Sequence, residues 1–142
     1  MVQVREATEL EPGLEDAMAR LLPQLSRSAP PLEAATLAAV IHAEACHFLI
    51  AEERDVLLGS LTLVVFPIPT GVRAWIEDVV VDGEARGKGV GEALNCFALD
   101  LAASLGARSV DLTSRPSRVA ANRLYQRLGF EQRDTNVYRH SG

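Results

Sequence analysis

Hydrophobic patterning predicts an α/β (α+β) protein whose sheet is mixed and mostly antiparallel, with about four helices flanking it. Three observations lead there. Apolar runs at residues 48–51 and 56–66, joined by the charged turn Glu52-Glu53-Arg54-Asp55, read as an antiparallel hairpin. A third run over residues 72–81 ends in a glycine-rich turn, passes into a helical pattern and returns as a strand at 107–113. A strand, crossover helix and strand within one sheet require a parallel pair. Finally, apolar residues recur at three- and four-residue spacing in segments before, between and after these runs, which supplies the helices.

Each element has a local cause. Residues 2–7 alternate as a short strand, and Glu11-Pro12 opens a helix with Leu14, Ala17, Met18, Leu21, Leu22 and Leu25 on one face. Residues 26–31 break the chain with serines and prolines, and 32–44 read as a second, alanine-rich helix. Pro67 and Pro69 stop the second strand of the hairpin, and Thr70-Gly71 turns into the next. After the glycine-rich turn, Val90, Leu94, Phe97, Leu101 and Leu105 mark one helix face, closed by Gly106. Pro116-Ser117 starts the next helix and Gly129 stops it; Phe130 then enters a final pair of strands ending near His140.

Composition narrows the function classes. A chain of 142 residues, 48% apolar and 23% charged, suits a single domain over 1–142 with a core that needs no staple. Two distant cysteines, Cys46 and Cys96, favour free thiols in a reducing cytoplasm over a disulfide framework. No apolar run is long enough to span a bilayer, so neither a membrane nor a signal segment is expected. A net charge of −5 disfavours nucleic acid as a partner and favours the approach of cationic amines.

The most informative stretch is Val79-Val80-Val81-Asp82-Gly83-Glu84-Ala85-Arg86-Gly87-Lys88-Gly89-Val90-Gly91. Alternate glycines remove every second Cβ, so backbone N–H groups can converge on an anion at the positive end of the following helix, with Arg86 and Lys88 as cations. A dinucleotide fingerprint does not fit the G-x-G-x-G spacing, and Lys88 lacks the Ser or Thr that follows it in a mononucleotide P-loop. What remains, R-G-x-G-x-G, resembles the Q/R-x-x-G-x-G/A signature of the GNAT superfamily, the Gcn5-related N-acetyltransferases. Residues 121–130, Ala-Asn-Arg-Leu-Tyr-Gln-Arg-Leu-Gly-Phe, resemble the family's second signature, A-x-x-x-Y-x-x-x-G-F. The resemblance runs from Trp75 to about Tyr138; Gly83 and Ala85 depart from it, standing where a proline and an aromatic are common.

The resemblance implies a fold in which a central parallel pair splays apart and leaves unpaired backbone for acetyl-coenzyme A, the acyl donor. It implies main-chain pairing of Val79 and Val81 with the pantetheine arm, and a pyrophosphate cradle formed by Arg86, Gly87, Lys88, Gly89, Val90 and Gly91. Asn122 would hydrogen-bond pantetheine, and the Tyr125 hydroxyl would protonate the departing thiolate. Homodimerisation through terminal strands is a family habit.

The attacking amine must lose a proton, which asks for a carboxylate or a relayed water. Alternation on the third strand puts Trp75, Glu77 and Val79 on one face and Asp78 on the other, so Glu77, expected to be partly desolvated beside Trp75 and raised in pKa, is the first candidate base. Pairing with Arg73 is its structural alternative, and Asp78 or a water is the chemical one. His42, Cys46 and His47 are too few for a metal site, and none is assigned. The expectation is a cytoplasmic N-acetyltransferase moving acetyl directly to a primary amine of a small molecule or peptide. A non-catalytic acyl-coenzyme A sensor or interaction module is the alternative, against which Tyr125 counts.

Overall fold

Five strands, β1 (Gln3–Glu6), β2 (Cys46–Glu53), β3 (Val56–Ile68), β4 (Gly71–Val81) and β5 (Val110–Asp111), stand side by side in chain order in the computed structural model, which describes every residue from Met1 to Gly142. The helices are α1 (Leu14–Leu25), α2 (Ala34–His42), α3 (Val90–Ser104) and α4 (Val119–Arg127). β1 to β4 pair antiparallel, and β4 and β5 are parallel. The chain divides into two compact units, Met1–Leu112 and Thr113–Gly142.

The first unit holds the sheet and α1 to α3. Register places Leu49, Leu61, Leu63 and Ile76 on one face, all buried, and Gly59 lies on that face with Val90 and Leu94 of α3 above it. A Cβ on Gly59 would come within 2.7 Å of the Val80 carbonyl oxygen and 3.0 Å of Val90, so the missing side chain is what lets α3 start close to β3. On the opposite face Phe48, Ile50 and Val80 form one buried cluster with Leu14, Met18 and Leu21 of α1 and Leu37 and Ile41 of α2. The sheet is thus sandwiched between α3 and the α1–α2 pair.

Several sequence expectations change in detail. β3 runs through Pro67 to Ile68 instead of stopping before the proline. The Val72 carbonyl accepts from the Arg108 amide on the β5 side, so Pro67, opposite Val72, owes β4 no hydrogen bond, and β2 has already ended at Cys46 opposite Val64. A proline is tolerated where no ladder bond is lost. The α3 stripe is Val90, Leu94, Ala98 and Ala102, with Asn95 beside it; Leu105 is exposed, so the buried face is rotated from the expected one. Gly106, at φ 84°, closes α3 as expected, with the Gly106 and Ala107 amides donating to Ala103 and Ala102.

The second unit carries α4 and an irregular C-terminal stretch. No strand follows Phe130, so the expected final pair is absent and the parallel pair forms an edge of the sheet instead of its centre. The residues after 130 are exposed, Tyr138 at 88%, and lack the buried face that would have fixed a strand's register.

Candidate active site

β4 and β5 pair only at Ala74 with Val110 and Trp75 with Asp111, flanked by hydrogen bonds from Ala74 N to Ser109 O and Arg108 N to Val72 O. Beyond Trp75, β4 continues for six residues with no strand on that side. This is the splay expected from the resemblance.

A β-bulge decides what the free stretch presents. Thr62 faces Glu77 and Ser60 faces Val80, so Asp78 and Val79 together oppose Leu61 alone, with Asp78 at φ 50°. An aspartate tolerates this left-handed conformation better than most residues. The extra residue reverses the alternation. Before the bulge, Ala74 turns its amide toward β5; after it, the Asp82 amide donates to the Leu58 carbonyl, so Asp82 and Val80 point to β3 while Val79 and Val81 turn their main-chain groups to the open edge. The bulge also takes Val79 off the face shared by Trp75 and Glu77, correcting the simple alternation. Val79 and Val81 are half-buried, and Val80 between them is the core residue.

Glu77 is exposed, not desolvated, and it makes no ion pair or hydrogen bond. The expected structural partner, Arg73, points to Asp111 at 3.4 Å. Asp78 is exposed too.

After β4, Asp82 caps a 3₁₀ turn over Gly83–Ala85 by accepting from the Glu84 amide at 3.1 Å. Gly87 and Gly89 then adopt φ of 83° and 75°, and Gly89 is the residue before α3. Only glycine takes such a sequence of left-handed turns cheaply. The first amides of a helix have no acceptor within it. Here those of Val90 and Gly91, with those of Gly87 and Gly89, donate to no carbonyl of the chain, whereas Lys88 N closes on Ala85 O at 3.3 Å. The Arg86 and Lys88 side chains are exposed; Lys88 Nζ lies 3.7 Å from Glu53, which also meets the N-terminal ammonium at 3.3 Å. Loop and helix start together form an open, positively polarised cradle.

Sequence reading missed three parts of this region. Arg20 and Gln24 of α1 hold the loop entry: Arg20 bonds the Asp82 carboxylate and the Leu57 carbonyl, and Gln24 accepts from the Gly83 amide at 2.9 Å. Asn95, fully buried in α3, donates to the Gly91 carbonyl at 2.8 Å, and its Oδ1 has no partner. Gly59 supplies the close approach under α3. An amide on an otherwise apolar helix face was the one available signal, at Asn95.

Within the second unit, Tyr125 is buried and its hydroxyl makes no hydrogen bond. Burial pushes its phenol above the ordinary tyrosine range, with Arg118 acting in the opposite direction. Asn122, three residues earlier on α4, spends its amide on the Arg115 carbonyl at 2.9 Å, which ties down the segment entering the helix. His42 ends α2, while His47 is engaged by Glu6 at 2.8 Å; no group of three or more His, Cys, Asp or Glu side chains could hold a metal ion.

Comparison with known proteins agrees with this architecture. A mycothiol acetyltransferase of Renibacterium salmoninarum is 35% identical over 98 residues, covering 66% of this chain and 29% of that protein. One from Amycolatopsis mediterranei is 38% identical over 95 residues, 63% and 32% of the respective chains, so this chain spans less than a third of these relatives' length. A putative acetyltransferase from Agrobacterium tumefaciens superposes with a TM-score of 0.86 over 98% of this chain and 99% of its own, at 25% identity. No helix is long and apolar enough to cross a membrane. Residues 14–130 match the acetyltransferase (GNAT) family, and the chain belongs to it.

Proposed function

We propose that residues 1–142 form one acetyltransferase domain that binds acetyl-coenzyme A and moves its acetyl group directly to a primary amine, in the cytoplasm. The observation that carries this reading is the cradle: unengaged amides at Gly87, Gly89, Val90 and Gly91 beside two exposed cations fit a pyrophosphate. The free main-chain edge at Val79 and Val81 fits an extended arm bearing amides, bound as an added strand would be. Acetyl-coenzyme A would supply an activated thioester.

The remaining chemistry falls to the chain's own groups. Tyr125, kept protonated by burial, donates its proton to the leaving sulfur. Asn122 offers its side-chain oxygen to the pantetheine arm, since its amide is already used. Glu77, exposed and without a partner, takes the amine's proton directly or through water, with Asp78 one residue away. Relatives named for mycothiol support a small-molecule acceptor, and the net charge of −5 supports a cationic one.

Thiol release from acetyl-coenzyme A, followed across a library of amines, tests the activity. Turnover with at least one amine, lost in Gly89→Glu, is the expected result. A folded protein without measurable affinity for coenzyme A overturns the reading.

A further inference from the structure

We propose that Asp82, Arg20 and Gln24 are positioning residues that fasten the glycine loop to α1 and so pre-set the amides that receive the phosphates. This rests on the acetyltransferase reading above.

Asp82 follows the last residue of β4, and its side chain is only 8% exposed. A carboxylate in such a place is costly unless both oxygens are satisfied. One accepts from the Glu84 amide at 3.1 Å, and the other accepts from Arg20 Nη1. Arg20 is fixed in turn by donating through Nη2 to the Leu57 carbonyl at 2.9 Å, at the start of β3. One helical turn further along α1, Gln24 accepts from the Gly83 amide at 2.9 Å. Two successive residues of the loop entry are therefore gripped from one face of one helix. The Glu84 amide first, and Arg20 second, hold the Asp82 carboxyl below its ordinary range.

The loop needs such a fixture. Between Ala85 and Val90 it is exposed throughout and contains two glycines at positive φ. A site made of main-chain amides binds weakly if each encounter must first order a flexible loop, and pre-ordering raises affinity by removing that cost. α3 anchors one end of the loop. The Asp82–Arg20–Gln24 clamp anchors the other, from residues about sixty positions away in sequence.

The test compares wild type with Asp82→Ala, Asp82→Asn and Gln24→Ala by hydrogen exchange of the amides of residues 83–91, by calorimetric coenzyme A affinity and by melting. Asp82→Ala should speed loop exchange and raise the Kd on the order of tenfold, with kcat at saturating donor near wild type once an acceptor is known. Asp82→Asn keeps an oxygen for the Glu84 amide and should recover part of that loss. Gln24→Ala, at an exposed position, should give the same pattern at roughly two- to threefold, and decides the matter if Asp82→Ala does not fold. Unchanged loop exchange and unchanged Kd in folded variants, even with a lower melting temperature, overturn the positioning role alone. Wild type that binds no coenzyme A overturns the acetyltransferase reading and takes this inference with it.

Discussion

The ring of Phe130 meets the ring of Tyr125 edge-on, with centroids 5.7 Å apart and planes at 73°. The main chain brings them together: Gly129, at φ 97°, reverses the chain after α4, the Phe130 amide donates to the Tyr125 carbonyl at 3.0 Å, and the Gly129 amide donates to Gln126 at 3.1 Å. This is a Schellman closure, in which the residue after the glycine packs on the residue three before the cap. The spacing Y-x-x-x-G-F is therefore the spacing such a closure requires. It orients the tyrosine ring through the backbone before any ligand is considered.

Removing the hydroxyl while keeping that ring contact isolates the chemistry. Tyr125→Phe is expected to lower kcat on the order of 10²-fold while coenzyme A affinity and melting temperature stay close to wild type. Because the phenol is raised by burial, it stays protonated through neutral pH, and a falling limb of kcat due to Tyr125 belongs above about pH 10 in the wild type. An unchanged kcat would return Tyr125 to the role of a core aromatic.

Gly129→Ala tests the closure itself. A Cβ there meets nothing within 4 Å, so the cost comes from holding alanine at φ 97°, about 1–2 kcal/mol of stability by urea unfolding. Since the reversal aligns Phe130 on Tyr125, kcat should fall too. Full activity in Gly129→Ala would separate the turn from the tyrosine's function.

Gly59→Ala should be harmful for the opposite reason. The added carbon sits 2.7 Å from a main-chain oxygen of β4 and 3.2 Å from Leu94, so strand or helix must shift, at about 1–3 kcal/mol. Urea unfolding measures that cost, and calorimetry should show weaker coenzyme A binding because the start of α3 moves. Unaltered stability would mean that the sheet and α3 yield freely.

For the base, the deciding measurement is the pH profile of kcat/KM for wild type and Glu77→Gln. Glu77→Gln keeps the shape and removes the basicity, so the rate at neutral pH should drop by roughly 10²-fold and recover in part at high pH where free amine is abundant. Its melting temperature should hold, since Glu77 is exposed and unpaired. Matching acidic limbs in the two proteins would eliminate Glu77 and direct the same comparison to Asp78→Asn.

Much was legible in the sequence because it is local. Glycines at 87, 89, 106 and 129 mark backbone reversals, and each takes a positive φ. The strand, loop, helix and strand order from β4 to β5 fixes a parallel pair by connectivity alone, and α1 ends at Leu25 as its apolar spacing implies. Tertiary structure decided what depends on neighbours. The bulge at Asp78 and Val79, seen only in the register with β3, reversed the alternation that had grouped Val79 with Glu77, and Glu77, still on the Trp75 face, is left in solvent. Pro67 stays in β3 because no strand faces its missing amide hydrogen, while the mostly polar residues after Phe130 find no buried face and form no strand. Arg20 and Asp82 meet across sixty-two positions, a pairing that no periodicity encodes. Local conformation follows from each residue's own sterics and spacing, whereas register, burial and long-range polar pairing exist only once distant segments share one core.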